Sequence, residues 1–211
     1  MGNTGSMTSA DELNEQYDAD GSVTQVPERN DEVHAGESAV AQSRESAVTI
    51  PAGTVVLAAT PIGNVGDASA RLVALLERAD IVAAEDTRRL YDLARRLGVY
   101  VNGRVIAYHD HNERDKADGL LDQVETGATV LVVSDAGMPT INDPGLAIVR
   151  RAIERGLPVT CAPGPSAVLD ALALSGLPTD RFCYEGFLPR KHSERVQYLS
   201  LIHISEPTRL R

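Results

Sequence analysis

The sequence has no tryptophan, two cysteines and an aromatic content of 4% over its 211 residues. Cys161 and Cys183 are too few for a disulfide framework and stand at no metal-ligand spacing, which predicts reduced thiols and no metal site. No apolar run approaches the roughly 18–20 residues needed to cross a bilayer. The first residues hold no apolar stretch of the kind that heads a secretory signal, so a cytoplasmic protein is expected. Cations are scarce at one end: residues 1–53 carry ten carboxylates against Arg29 and Arg44, a net charge of −8 out of the chain's −10. With Tyr17 as its one aromatic, that segment cannot bury enough apolar surface to offset its ordering entropy. It is expected to be a disordered acidic extension. Also missing are a G-x-x-x-x-G-K-[ST] loop and a G-x-G-x-x-G opening a helix after the first apolar run, the strongest signatures of nucleotide triphosphates and dinucleotides.

What is present from Thr54 onward is an alternation of short apolar runs with helical patterns. TVVLAA (54–59), DIVAAE (80–85), RVIAYH (104–109), ATVLVVS (128–134) and LPVTCAP (157–163) predict strands, several apolar on both faces as in a buried parallel sheet. Ala117, Leu120, Leu121 and Val124 form one helical stripe. Asp143 before Pro144 suits a helix cap with proline at the first position. Gly98, Gly127, Gly156 and Gly176 each follow a periodic stretch, where a residue of positive φ is wanted. The fold class expected is α/β, an open, mostly parallel sheet with helices on both faces, spanning residues 54–180.

The unusual residues follow the strand ends: TPIGN (60–64), EDTRR (85–89), HDHNE (109–113), SDAGMPTINDPG (134–145) and APGPSA (162–167). In open α/β sheets the ligand crevice lies outside the carboxyl ends of the strands, and the loop after the fourth strand exceeds the usual 2–6 residues. Its glycines and prolines would let backbone approach a flat ligand. The N–H groups of Ser166 and Ala167, near a helix start, could receive a carboxylate.

On TPIGN, AAEDTR, HDHNE, SDAGMPTINDPG, PGPSA and LPTDRFCYEGFLPRK, all in order between about Thr54 and Lys191, the sequence resembles the tetrapyrrole methylase superfamily, and within it the ribosomal RNA branch. The resemblance implies two α/β domains with S-adenosylmethionine in the trough between them. It further implies methylation of the ribose 2′-oxygen of a cytidine in the decoding region of 16S rRNA, and a homodimer. Carried over by position, Pro61, Ser134, Asp135, Ala136, Ser166 and Ala167 should line the cofactor trough. TPIGN stands where the tetrapyrrole enzymes have a glycine-rich loop, which favours RNA over a corrin or sirohaem substrate.

A ribose hydroxyl is a poor nucleophile until a base shares its proton. Asp86, His109, Asp110 and His111 are the candidate catalytic residues, with Glu113 a further carboxylate; binding RNA is as open to the histidine cluster as deprotonating it. His109 and His111 would alternate across a strand and face opposite ways, which argues against a shared metal. Asp86 and Arg88 either hold a phosphate or target, or pair with each other to fix the loop. Local cations should mark an RNA surface; Arg88, Arg89, Arg190 and Lys191 are the candidates, with Asn112 and Glu113 beside them. Tyr108, Tyr184 and Phe187 could stack on bases or sit in a core.

Residues 181–200 read as a linker and the start of a second α/β domain that is missing here. The ending LIHISEPTRLR (201–211) continues no helical or strand period, and Pro207 would break a helix; it reads as an atypical, non-native tail on a truncated chain. Such a half should bind S-adenosylmethionine weakly. Two other functions remain in view: a small-molecule methylase of tetrapyrrole or diphthine type, and a nucleotide-binding module without catalysis.

Overall fold

The computed structural model describes residues 48–205, so the expected acidic extension up to residue 47 and the end of the tail from residue 206 lie outside the described residues. Five strands, β1 (Val55–Ala58), β2 (Ile81–Ala84), β3 (Arg104–Ala107), β4 (Val130–Val133) and β5 (Val159–Ala162), form one sheet in the order β3-β2-β4-β1-β5. Every pairing is parallel. Each strand lies inside the apolar run that predicted it. The helices are α1 (Ala70–Arg78), α2 (Thr87–Leu97), α3 (Glu113–Glu125), α4 (Leu146–Glu154), α5 (Ala167–Leu174) and α6 (His192–Ser205), with a short 3-10 turn at Val65–Asp67.

The strands are apolar on both sides because both faces are covered. Val55, Ile81, Ala83, Val130 and Val132 turn to one face, under Ala117, Leu120, Leu121 and Val124 of α3 and Ile148 and Ala152 of α4. Val56, Ala58, Val82, Ala84, Leu131 and Val133 turn to the other, under Leu72, Leu75 and Leu76 of α1 and Leu90 of α2. Chain direction explains this division. From β1 to β3 the chain moves toward one edge and its helices lie on one face. From β3 to β5 it moves back, and its helices lie on the other face. Reversing both direction and face keeps the crossovers of one hand. The exit of β4 is consequently flanked by β1 and β2, whose following helices lie on the opposite face, which makes it a switch point of the kind that opens a ligand crevice.

Local chemistry sets the element ends. The Ser69 hydroxyl accepts from the Leu72 N–H at 3.0 Å and starts α1. Gly98, Gly127, Gly156 and Gly176 all take positive φ, as expected. One predicted cap is corrected: α4 begins at Leu146 with Gly145 at its cap, not at Asp143–Pro144. The physical reason lies in another element. Glu113 Oε2 accepts from the Gly145 N–H at 2.8 Å and the Ala147 N–H at 3.4 Å, so the open amides of α4 need no local side chain.

Ordered contacts also extend outside residues 54–180. Residues before Thr54 are tied in: the Gly53 N–H donates to Gly127 O at 2.8 Å, the Thr129 hydroxyl to Pro51 O at 2.7 Å, and Ile50 packs on the α1 side of the core. At the other end α6 runs through residues 201–205, where no helical period was expected.

Candidate functional site

The exits of β1 and β4 are stitched together over the switch point. The Thr60 and Gly137 N–H groups donate to each other's carbonyls at 2.9 and 3.0 Å, and the buried Thr60 hydroxyl donates to Ser134 O at 3.1 Å. The Ser134 hydroxyl turns back to Gly137 O at 3.2 Å. Gly137 takes φ +87°, which suits glycine alone at this crossing, while Thr140 (φ +76°) and Asn142 (φ +61°) are held left-handed further along the loop. The PGPSA loop comes close as well: a Cβ on Gly164 would stand 3.1 Å from Ala59 Cβ. Pro61, half-buried, and the exposed Ala136 flank this stitched floor. Ser166 caps α5 with no side-chain bond, so Ser166 and Ala167 sit at a helix start as predicted.

Beside the floor, the ends of β2 and β4 are bound through carboxylates. Asp135 Oδ1 accepts from the Asp86 N–H at 3.2 Å, and the Asp135 N–H donates to Glu85 Oε2 at 3.1 Å. Arg89 lies 3.3 Å from Asp135 Oδ2. Asp86 caps α2, accepting from the Arg88 N–H at 2.8 Å, and its two oxygens meet the Arg88 guanidinium at 3.2 and 2.9 Å. The Arg88 side chain and N–H hold the Asp86 carboxyl down to about 2. Asp86 and Arg88 are thus paired with each other, and an acid so weakly basic is a poor proton acceptor.

Two carboxylates that sequence reasoning did not propose as site residues, Glu85 and Asp143, join this cluster. Burial raises the Glu85 carboxyl, opposed by the Asp135 N–H and reinforced by the negative charges of Asp135, Asp143 and Asp110. Burial also raises Asp143, opposed by the Ser134 hydroxyl and reinforced by Asp135 and Asp110. Their signal was present in EDTRR and INDPG, but only the sheet order brings the two loops together. Among the described residues Thr60, Glu85, Asp86, Arg89, Ser134 and Asp135 line a shallow cleft that is open to solvent. Ligand pockets enclose most of their ligand's surface, whereas this cleft is shallow, so these loops make one wall and a floor.

The HDHNE residues lie beyond the end of β3, which corrects the expectation that His109 and His111 face opposite ways. Strand alternation ends at Ala107, the chain turns, and the two rings meet edge to face with centroids 6.0 Å apart. Asp110 and His111 are exposed. Asn112 and Glu113 are used inside the protein, Asn112 on the His109 loop and Glu113 on α4. Tyr108 is buried in the core on the α3 side, Tyr184 accepts from Asn142 Nδ2, and Phe187 is exposed. Of the remaining cations, Lys191 pairs with Glu194 at 3.0 Å and Arg190 is exposed, both distant in sequence from the stitched loops.

Beyond β5 the apolar side chains lose their partners. Leu169, Leu174, Leu177, Phe182 and Phe187 are all more than half exposed. No helix among the described residues is long and apolar enough to cross a membrane.

Comparison with known proteins agrees with this architecture. The family model for tetrapyrrole (corrin/porphyrin) methylases matches residues 54–205. The Ribosomal RNA small subunit methyltransferase I of Mycobacterium bovis is 53% identical over 148 residues, 70% of this chain and 52% of that protein. The protein of the same name from Escherichia coli O157:H7 is 46% identical over 158 residues, 75% of this chain and 54% of its own. That from Halalkalibacterium halodurans is 41% identical over 167 residues, 75% of this chain and 57% of its own. The chain spans about half the length of the curated relatives it matches. By the extent of the family match and the parallel sheet beneath it, the chain belongs to the tetrapyrrole (corrin/porphyrin) methylase family.

Proposed function

We propose that this chain is the cofactor-facing half of an S-adenosylmethionine-dependent methyltransferase that modifies the ribose 2′-oxygen of a cytidine in 16S rRNA. The observation that carries this reading is the identity of up to 53% with proteins named for small-subunit rRNA methylation, together with a family match over residues 54–205 that includes the loops meeting at the switch point. The donor set suits the cofactor. Glu85, Asp135 and Asp143 give the cleft a negative field that favours a sulfonium and an ammonium, and the Ser166 and Ala167 N–H groups offer a place for a carboxylate. The lack of a side chain at Gly164 lets the PGPSA loop pack directly on Ala59 at the end of β1, which keeps that loop at the edge of the cleft.

When bound, S-adenosylmethionine supplies an activated methyl group. The chain's own part is alignment and a proton acceptor. The stitch between Thr60 and Gly137 holds the floor; Pro61, Ser134 and Ala136 shape its rim. Asp110 and His111 are the exposed candidates for the hydroxyl proton, and Arg88, Arg89, Arg190 and Lys191 for RNA phosphates, where carboxylate partners would be exchanged. The whole enzyme acts in the cytoplasm as a homodimer in this reading.

A shallow cleft with one wall and a floor predicts weak binding by this chain alone. Calorimetric titration should show S-adenosylmethionine binding weaker than micromolar, with none for ATP or NAD. Micromolar affinity would overturn the incomplete-site reading, and equal binding of ATP would favour a nucleotide-binding module. Methyl transfer to porphyrinoid acceptors but not to unmodified small subunits would overturn the RNA assignment.

A further inference from the structure

His109 heads the loop that carries the candidate proton acceptors, and Asn112 decides what its ring can do. The Asn112 amide touches three groups. Its Oδ1 accepts from the His109 backbone N–H at 3.0 Å, its Nδ2 lies 3.3 Å from Ala107 O, and the same Nδ2 lies 3.0 Å from His109 Nε2. Two of these partners have fixed polarity. A backbone N–H only donates and a carbonyl only accepts, so the oxygen of the amide must face His109 N and its NH₂ must face Ala107 O. The Lys116 ammonium donates to that carbonyl as well, at 2.7 Å.

With the amide oriented in this way, the nitrogen facing His109 Nε2 is a donor. Nε2 must then accept, and the ring proton resides on Nδ1. Turning the ring over would place a carbon against the amide and forfeit the bond. Nδ1 is buried and without a hydrogen-bond partner among the described residues. Neither nitrogen of His109 is therefore available to take a proton from a substrate: one is occupied, the other already protonated and enclosed. Against this ring stands the exposed His111, edge to face at 6.0 Å.

We propose that Asn112 is a positioning residue that locks His109 in the Nδ1–H tautomer, making His109 the half-buried support of His111, and that the proton-accepting role of the pair falls to His111. The role of His111 rests on the methyltransferase reading; the lock does not. It also moves Asn112 from the RNA surface, where the sequence placed it, to the interior of the loop.

Two readouts test this without cofactor or RNA. Long-range ¹H–¹⁵N spectra of the ¹⁵N-histidine-labelled chain at alkaline pH should show His109 with its proton on Nδ1. In Asn112→Asp, whose carboxylate can only accept, the pattern should invert to Nε2–H; should that variant lose its loop, the wild-type spectrum still reports directly which nitrogen carries the proton. Diethyl pyrocarbonate, which acylates an accessible unprotonated ring nitrogen, should modify His111 faster than His109 by an order of magnitude or more. Asn112→Ala should narrow that gap. A wild-type His109 with its proton on Nε2, or one acylated as fast as His111, overturns the proposal. Methyl-transfer assays bear separately on the RNA reading, since neither readout here depends on catalysis.

Discussion

Several polar residues that read as site candidates serve the architecture at the same time. Asp86 caps α2 and pairs with Arg88, and its depressed carboxyl has a consequence for pH. An Asp titrates near ~3.9 when unfolded and at about 2 here. The folded state therefore holds fewer protons in that window, and the stability is present above ~4 and lost as pH falls through about 2. Asn keeps the cap but not the charge. Asp86→Asn should therefore flatten the acid limb of an unfolding curve followed by circular dichroism, while helix α2 survives. Glu113 is the stronger test of structural use. Removing its carboxylate from the start of α4 in Glu113→Ala should cost about 0.5–2 kcal/mol, as a lost cap does, read from the urea midpoint. Glu113→Gln, which keeps an acceptor oxygen, should cost less. The HDHNE string shows where sequence reading stops at this scale. Its polar character was visible, but the placing of Glu113 against α4 and of Asn112 around His109 depends on which elements become neighbours.

At the level of elements, periodicity was informative wherever the core decided the outcome. The stripe Ala117, Leu120, Leu121 and Val124 is buried in full, and all five apolar runs contain their strands. The start of α4 was misplaced where a distant group intervened. A contrast in burial yields a prediction. Leu121 is fully buried and Leu174 is 87% exposed. Leu121→Ala should cost about 2–5 kcal/mol through lost burial and a cavity, whereas Leu174→Ala should leave the denaturation midpoint almost unmoved. Equal losses would mean that α5 has a partner in solution. α3 and α4 are joined beyond their apolar contact, since Arg155 reaches Asp122 at 2.7 Å and Glu125 at 2.9 Å. Both carboxylates are half-exposed or more, so that bracket should weaken with salt.

For the molecule as a whole, the sheet order was the part least legible in the sequence. Alternating strands and helices predicted a parallel sheet, but nothing local tells β4 to insert between β2 and β1. That insertion creates the switch point and gathers EDTRR, TPIGN and SDAGMPTINDPG into one cleft. It also governs how the chain can fold as it is made. β1 pairs with β4 and β5 and with no other strand. A ribosome that has released β1, β2 and β3 has therefore released a strand with neither of its neighbours. Residues 48–127 alone should show no cooperative unfolding and rapid amide exchange throughout β1, while a chain extended through Ala162 should protect it. Contacts this far apart in sequence close slowly, so the nascent domain stays open to chaperones and proteases until its last strand emerges.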